Sequence, residues 1–160
     1  MSVSLYGSGQ TVIQVAQTVL STAFSSATVG SYVPLTGLSV SITPQSTTSK
    51  ILVMCQVTTT DSNNYSPYMH IYRNGSQITP NGPSTGYTPS SNFAFISGGS
   101  ATGASVSITC SFQYLDSPSS TSALTYQVYI AKPSVASSGP QVNNTQGGSS
   151  VITVLEISGS

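Results

Sequence analysis

The sequence predicts an all-β chain: an antiparallel β-sandwich, jelly-roll-like, of about eight strands. Three observations carry that expectation. Apolar residues alternate with Ser, Thr and Gln in one segment after another, the period of two that half-buries a strand, and helical spacing is nowhere sustained. Residues that favour pleated structure are plentiful, with 9 Tyr, 4 Phe and many Val, Ile and Thr, so the chain folds despite its low charge. Clusters of Gly, Pro, Ser and Asn interrupt the alternation at short intervals, as turns do.

In chain order, the first strand covers 11–15 and continues toward Leu20. The second covers 38–42, with Leu38, Val40 and Ile42 on one face, and is halted by Pro44. The third, 51–57, is largely apolar on both faces, as in a central strand covered on two sides. After a polar stretch the strand 68–73 meets Asn74-Gly75, a pair that tolerates the positive φ of a type I′ turn, and returns as 76–78 in a hairpin. The stretch 79–91, rich in Pro and Gly, reads as a long loop or irregular edge. Strands follow at 92–96, at 105–115 with Val106, Ile108, Cys110, Phe112 and Tyr114 inward, at 123–131, and at 149–158. The low-complexity stretch 133–148 reads as a loop. A chain of this length can close one core without staples, so 1–160 is expected to form a single domain, with 1–10 a candidate ordered N-terminal arm.

Composition excludes whole classes of function. Six residues are charged, Lys50, Arg73, Lys132, Asp61, Asp116 and Glu156, where an average domain of this size carries about 40. With three cations and no net charge, the footprint that neutralises phosphates or anionic lipid cannot be built, so neither nucleic acid nor membrane is an expected partner. The 53 Ser and Thr supply the solubility that charge usually supplies. The longest apolar run is 51–55, far below the ~18 residues of a membrane-spanning helix, and the N-terminus has neither a basic region nor an apolar run of the secretory kind. Three Asn-x-Ser/Thr triplets, at Asn64, Asn74 and Asn143, are about what chance gives in a chain this rich in Ser and Thr.

Catalytic material is equally scarce, and no enzyme activity and no cofactor are expected. His70 is the lone histidine; by parity it shares the more polar face of its strand with Tyr68 and Tyr72, opposite Met69 and Ile71. Asp61 and Asp116 sit in turn-forming contexts and read as residues bonding nearby backbone. Gly7-Ser8-Gly9 has no preceding strand and no following helix, so it is no phosphate loop. Cys55 and Cys110 both fall on core-facing positions and read first as reduced core thiols, with a disulfide as the alternative; one His and two distant Cys are too few for zinc. Tyr65, Tyr68 and Tyr87, with Asn92 and other amides beside them, fall in or near the longest loops, where aromatic faces rimmed by amides can contact a glycan, a receptor or a partner subunit.

Several pieces together resemble a known group. Thr36-Gly37-Leu38-Ser39-Val40-Ser41-Ile42-Thr43-Pro44 followed by Thr48-Ser49-Lys50-Ile51-Leu52-Val53 is similar to a segment of β-rich virion proteins of tailed bacteriophages. The same order continues with Ile71-Tyr72-Arg73-Asn74-Gly75-Ser76-Gln77-Ile78, then Asp116-Ser117-Pro118 before Thr125-Tyr126-Gln127-Val128, and last the run from Ser149 to Ile157. The resemblance covers nearly the whole chain. It implies a virion structural protein that forms a homotrimer, contacts other virion proteins of capsid or tail, is made in the host cytoplasm and ends in the extracellular particle. Lacking a long N-terminal shaft, the chain is expected to be a capsid-decorating cement protein; the alternative is a tail-fibre head that binds host surface glycans. The family brings no catalytic residues. The charged residues within the matched pieces, Lys50, Arg73, Asp116 and Glu156, are expected to form cross-strand or intersubunit pairs.

Overall fold

The computed structural model describes residues 10–61, 67–82, 89, 93–95, 106–136, 138–144 and 148–159. Among them lie eleven strands and no helix: β1 Val12–Leu20, β2 Phe24–Ser25, β3 Val33–Ile42, β4 Lys50–Asp61, β5 Tyr68–Arg73, β6 Ser76–Gln77, β7 Ala94–Phe95, β8 Val106–Asp116, β9 Leu124–Ala131, β10 Gln141–Val142 and β11 Ser150–Ile157. They form two antiparallel sheets packed face to face. One runs β1-β11-β4-β8, with β10 continuing the lane of β11 beside the far end of β4 and β2 continuing the lane of β1 beyond it. The other runs β3-β9-β5, with β6 and β7 on the free edge of β5. Numbering only the eight lanes, the sheets read 1-8-3-6 and 2-7-4-5, which is the jelly roll of two interleaved Greek keys.

The core is the facing rows of these sheets. Ile51, Val53, Cys55 and Val57 of β4 and Ile152 and Val154 of β11 meet Leu38, Val40 and Ile42 of β3, Tyr126, Val128 and Ile130 of β9, and Met69 and Ile71 of β5. At about 25 cal/mol for each Å² of apolar surface removed from water, these rows are the main stabilising term.

Several segments differ from the sequence expectation, among them β2, which was not anticipated, and β4, which runs on to Asp61 past the expected end at Val57. β3 begins at Val33, well before Leu38, and passes through Pro34. It is an edge strand paired only with β9, where a missing N–H costs least. Its register then shifts between Pro34 and Ser39, and Gly37, at φ +88°, supplies the left-handed residue of the bulge. The stretch 133–148, expected as loop, contains β10, which pairs with β2 and with Thr59 of β4. Two-residue strands are too short to leave a periodic signal. The Asn74-Gly75 turn forms as expected, with φ 50° and 79°, and Asn74 also reaches sideways: its N–H donates to the Thr125 carbonyl and its Oδ1 accepts from the Thr125 N–H.

Candidate functional site

One inward row of the first sheet holds two carboxyl groups. Register aligns Gln14 of β1, Glu156 of β11, Ile51 of β4 and Asp116 of β8 across four strands, so both acids point between the sheets at the same end of the sandwich. Each is fully committed to the fold. Asp116 Oδ2 accepts from Arg73 Nη1 at 2.6 Å and from the Tyr126 hydroxyl at 2.7 Å, so β8 of one sheet is tied to β5 and β9 of the other. Burial first, and then the neighbouring Asp116, pushes the Tyr126 hydroxyl above its ordinary range. Glu156 is wholly buried and has no ion partner among the described residues. Its Oε2 accepts from the Gln14 amide, and its Oε1 accepts from the Gln45 backbone N–H at 2.7 Å. Burial works against its charge, but these donors, led by Gln14, outweigh it and hold the carboxyl below its ordinary value.

Of the four charges expected to pair, the structure therefore joins Arg73 with Asp116 and gives the other two neutral partners. Lys50 Nζ donates to Ser117 Oγ at 2.8 Å, at the mouth of a hydroxyl-lined hollow that includes Thr47, Thr48 and Ser119. Asp116 is not a turn residue bonding nearby backbone: it ends β8 and binds across the core. The side chain of Asp61 is not among those described.

His70 has the expected parity, on the face opposite Met69 and Ile71, and it is fully buried there. The chain after the hairpin folds back over that face: Thr79 Oγ1 lies 2.8 Å from His70 Nδ1 and accepts from the Ile71 N–H, while the Tyr32 ring meets the imidazole edge-on at 4.8 Å. Such packing positions no imidazole for proton transfer to a substrate. Cys55 and Cys110 are not joined in a disulfide and stand on inward diagonal positions, Cys55 opposite Phe112 and Cys110 opposite Val57. Burial, with Cys110 adding to it, pushes the Cys55 thiol far above the range of a reactive thiolate. Among the described residues, no group of three His, Cys, Asp or Glu could hold a metal ion.

Of the candidate contact residues, Tyr65, Tyr87 and Asn92 lie outside the described residues. Tyr68 is buried, paired with Ala131 and Phe95, and offers no open ring. The sequence reading missed a different aromatic pair, Tyr72 and Tyr129, stacked on the outward side of the second sheet with ring centres 3.7 Å apart. Their parity, out of phase with Ile71 and Val128, was the available signal. Also unanticipated was Asn143, at φ 51°, whose side-chain amide donates to the Leu20 carbonyl at 2.7 Å and whose Oδ1 accepts from Ser150 Oγ at 2.9 Å. That burial removes it as a glycan acceptor. Lys132, which the sequence reading left without a role, is also buried, and its carbonyl accepts from the Gly30 N–H.

No family model and no curated protein matches the chain.

The outward side of the first sheet is of another character. The expectation that 51–57 is covered on both faces holds within the described residues only for the inner one, because Met54 is 42% exposed. Register places Val15, Leu155, Leu52 and Leu115 in one row across β1, β11, β4 and β8, with Val15 59% and Leu115 53% exposed. Beside that row lies a groove of about 470 Å³ lined by Met54, Gln56, Gln113, Val151 and Thr153 among others.

Proposed function

We propose that this chain is a structural protein of a tailed-bacteriophage virion, a non-catalytic jelly roll that self-associates, as a homotrimer, and covers part of the particle surface as a decorating protein. One observation carries the reading. Three of the four charges in the virion-like sequence pieces act as joints of this jelly roll: Arg73 with Asp116 between sheets, and Glu156 beneath the β3–β4 connection. The pieces that carry the resemblance thus supply the joints that hold the fold together. A chain with six charges that commits three of them to internal joints has little left for chemistry on a substrate.

The test is to locate the protein in purified particles by electron microscopy, with antibody labelling of the chain. Density on capsid faces or vertices supports the decorating role. Density at a fibre tip, with binding to defined glycans on an array, replaces it with the receptor-binding reading, and absence from particles refutes both.

A further inference from the structure

We infer that the outward face of the β1-β11-β4-β8 sheet is the surface through which copies of this chain bind one another, the apolar row of one copy seating in the groove of the next. The inference rests on the self-association in the reading above and not on the virion assignment.

Three features of the face select this occupant. The first is its size. Four strands at ~4.8 Å spacing, over about eight residues at ~3.4 Å, give a flat footprint on the order of 500 Å². That footprint, an apolar row flanked by amides and hydroxyls, approaches the ~800 Å² per partner of a stable interface.

The second is charge. The row Val15–Leu155–Leu52–Leu115 and its neighbours Gln17–Thr153–Met54–Gln113 and Val19–Val151–Gln56–Ser111 contain no ionisable side chain. At the rim, Lys50 is tethered to Ser117. A face of this kind complements a partner surface equally free of charge, and a chain with 4% charged residues is itself such a partner.

The third is shape. The apolar row and the groove of Met54, Gln56, Gln113, Val151 and Thr153 lie side by side on one face, so each molecule carries both halves of the contact. Face to face, two copies seat each row in the other's groove in a two-fold contact; displaced head to tail, row into groove, the contact is heterologous and forms a ring such as a trimer where its rotation closes.

The experiment measures the mass of the purified full chain by sedimentation equilibrium from micromolar to millimolar concentration, for the parent and for Val15→Lys, Leu115→Lys and the milder Leu115→Thr. All three changes lie at exposed positions. Each lysine should weaken association at least about tenfold, because an ammonium would have to be desolvated against apolar surface, and Leu115→Thr should weaken it less. Ser41→Lys, on the outward side of the other sheet, should leave it unchanged. A second readout needs no mutation: peroxide oxidation of Met54, followed by mass spectrometry, should slow several-fold in the oligomer relative to the dilute monomer.

An oligomer that survives both lysines, or in which Met54 oxidises as fast as in the monomer, overturns the inference and leaves self-association to another surface. A parent that stays monomeric throughout overturns it too; if that monomer is then found on particles with Met54 protected only there, the face is a capsid contact and the virion reading stands without it.

Discussion

Glu156 shows how a carboxylate survives without a cation. Its charge is held by amide and backbone donors in a site closed to water, and the carboxyl sits below its ordinary value of 4.5. A group depressed in the folded state contributes stability that is present above the unfolded value and lost as pH falls through the folded one. Stability should therefore decline below about pH 4.5, and Glu156→Gln, costing roughly 1.5–3 kcal/mol at neutral pH, should flatten that decline in urea titrations at pH 3 to 7. A parent-like acid limb in the variant would assign the decline to another carboxylate. Asn143 combines a left-handed backbone with bonds to Leu20 and Ser150. Asn143→Ala should cost about 2–4 kcal/mol, and Asn143→Gly, which restores the φ but not the bonds, should cost less; equal losses would remove backbone strain from the account. For the thiols, Cys55→Ala should destabilise by roughly 1–2 kcal/mol and reductant should not shift the parent's melting temperature.

At the scale of elements, the long strands were legible because each buries one face and so writes a period of two into the sequence. β8, β9 and β11 lie within a residue of their expected bounds for that reason. The start of β3 was not legible, because Pro34 and Gly37 are breakers by local propensity and become acceptable only through the edge position and the bulge. The same limit hid the joint at Asp116: Asp-Ser-Pro reads as a turn, and only the stacking of the two sheets brings Arg73 and Tyr126 to it. A polar hydroxyl at an inward position of β9 was the one hint, since a buried tyrosine seeks a partner for its O–H. The bulge carries its own prediction. A Cβ on Gly37 would lie 2.9 Å from Leu20 Cδ1 and would sit on a residue at φ +88°. Gly37→Ala should cost about 1–3 kcal/mol, more than the same change at Gly75, which has open space around it. A Gly75→Ala variant that loses as much stability would mean that φ alone sets both costs.

For the whole molecule, a chain this poor in charge must hold itself, and any copy of itself, by burial and neutral hydrogen bonds. The Arg73–Asp116 contact at 2.6 Å is the one ion pair among the described residues. Raising sodium chloride from ~0.1 M to ~1 M shortens the Debye length from about 10 Å to about 3 Å, but the pair is partly buried, with the Asp116 side chain 9% exposed, and is screened much less than an exposed pair. Unfolding free energy should accordingly change by less than about 1 kcal/mol over that range. The proposed row-and-groove contact crosses three rows with no ionisable side chain, so its association constant should move little with chloride, whereas sulfate, excluded from apolar surface, should strengthen it. Lys50, at the rim, supplies the contrast: if chloride dissolves the oligomer and Lys50→Met abolishes that sensitivity, the rim dominates over the face. Sedimentation equilibrium across a chloride series and a matched sulfate series decides the matter, because an apolar interface requires the two salts to diverge and an ionic one requires both to weaken it.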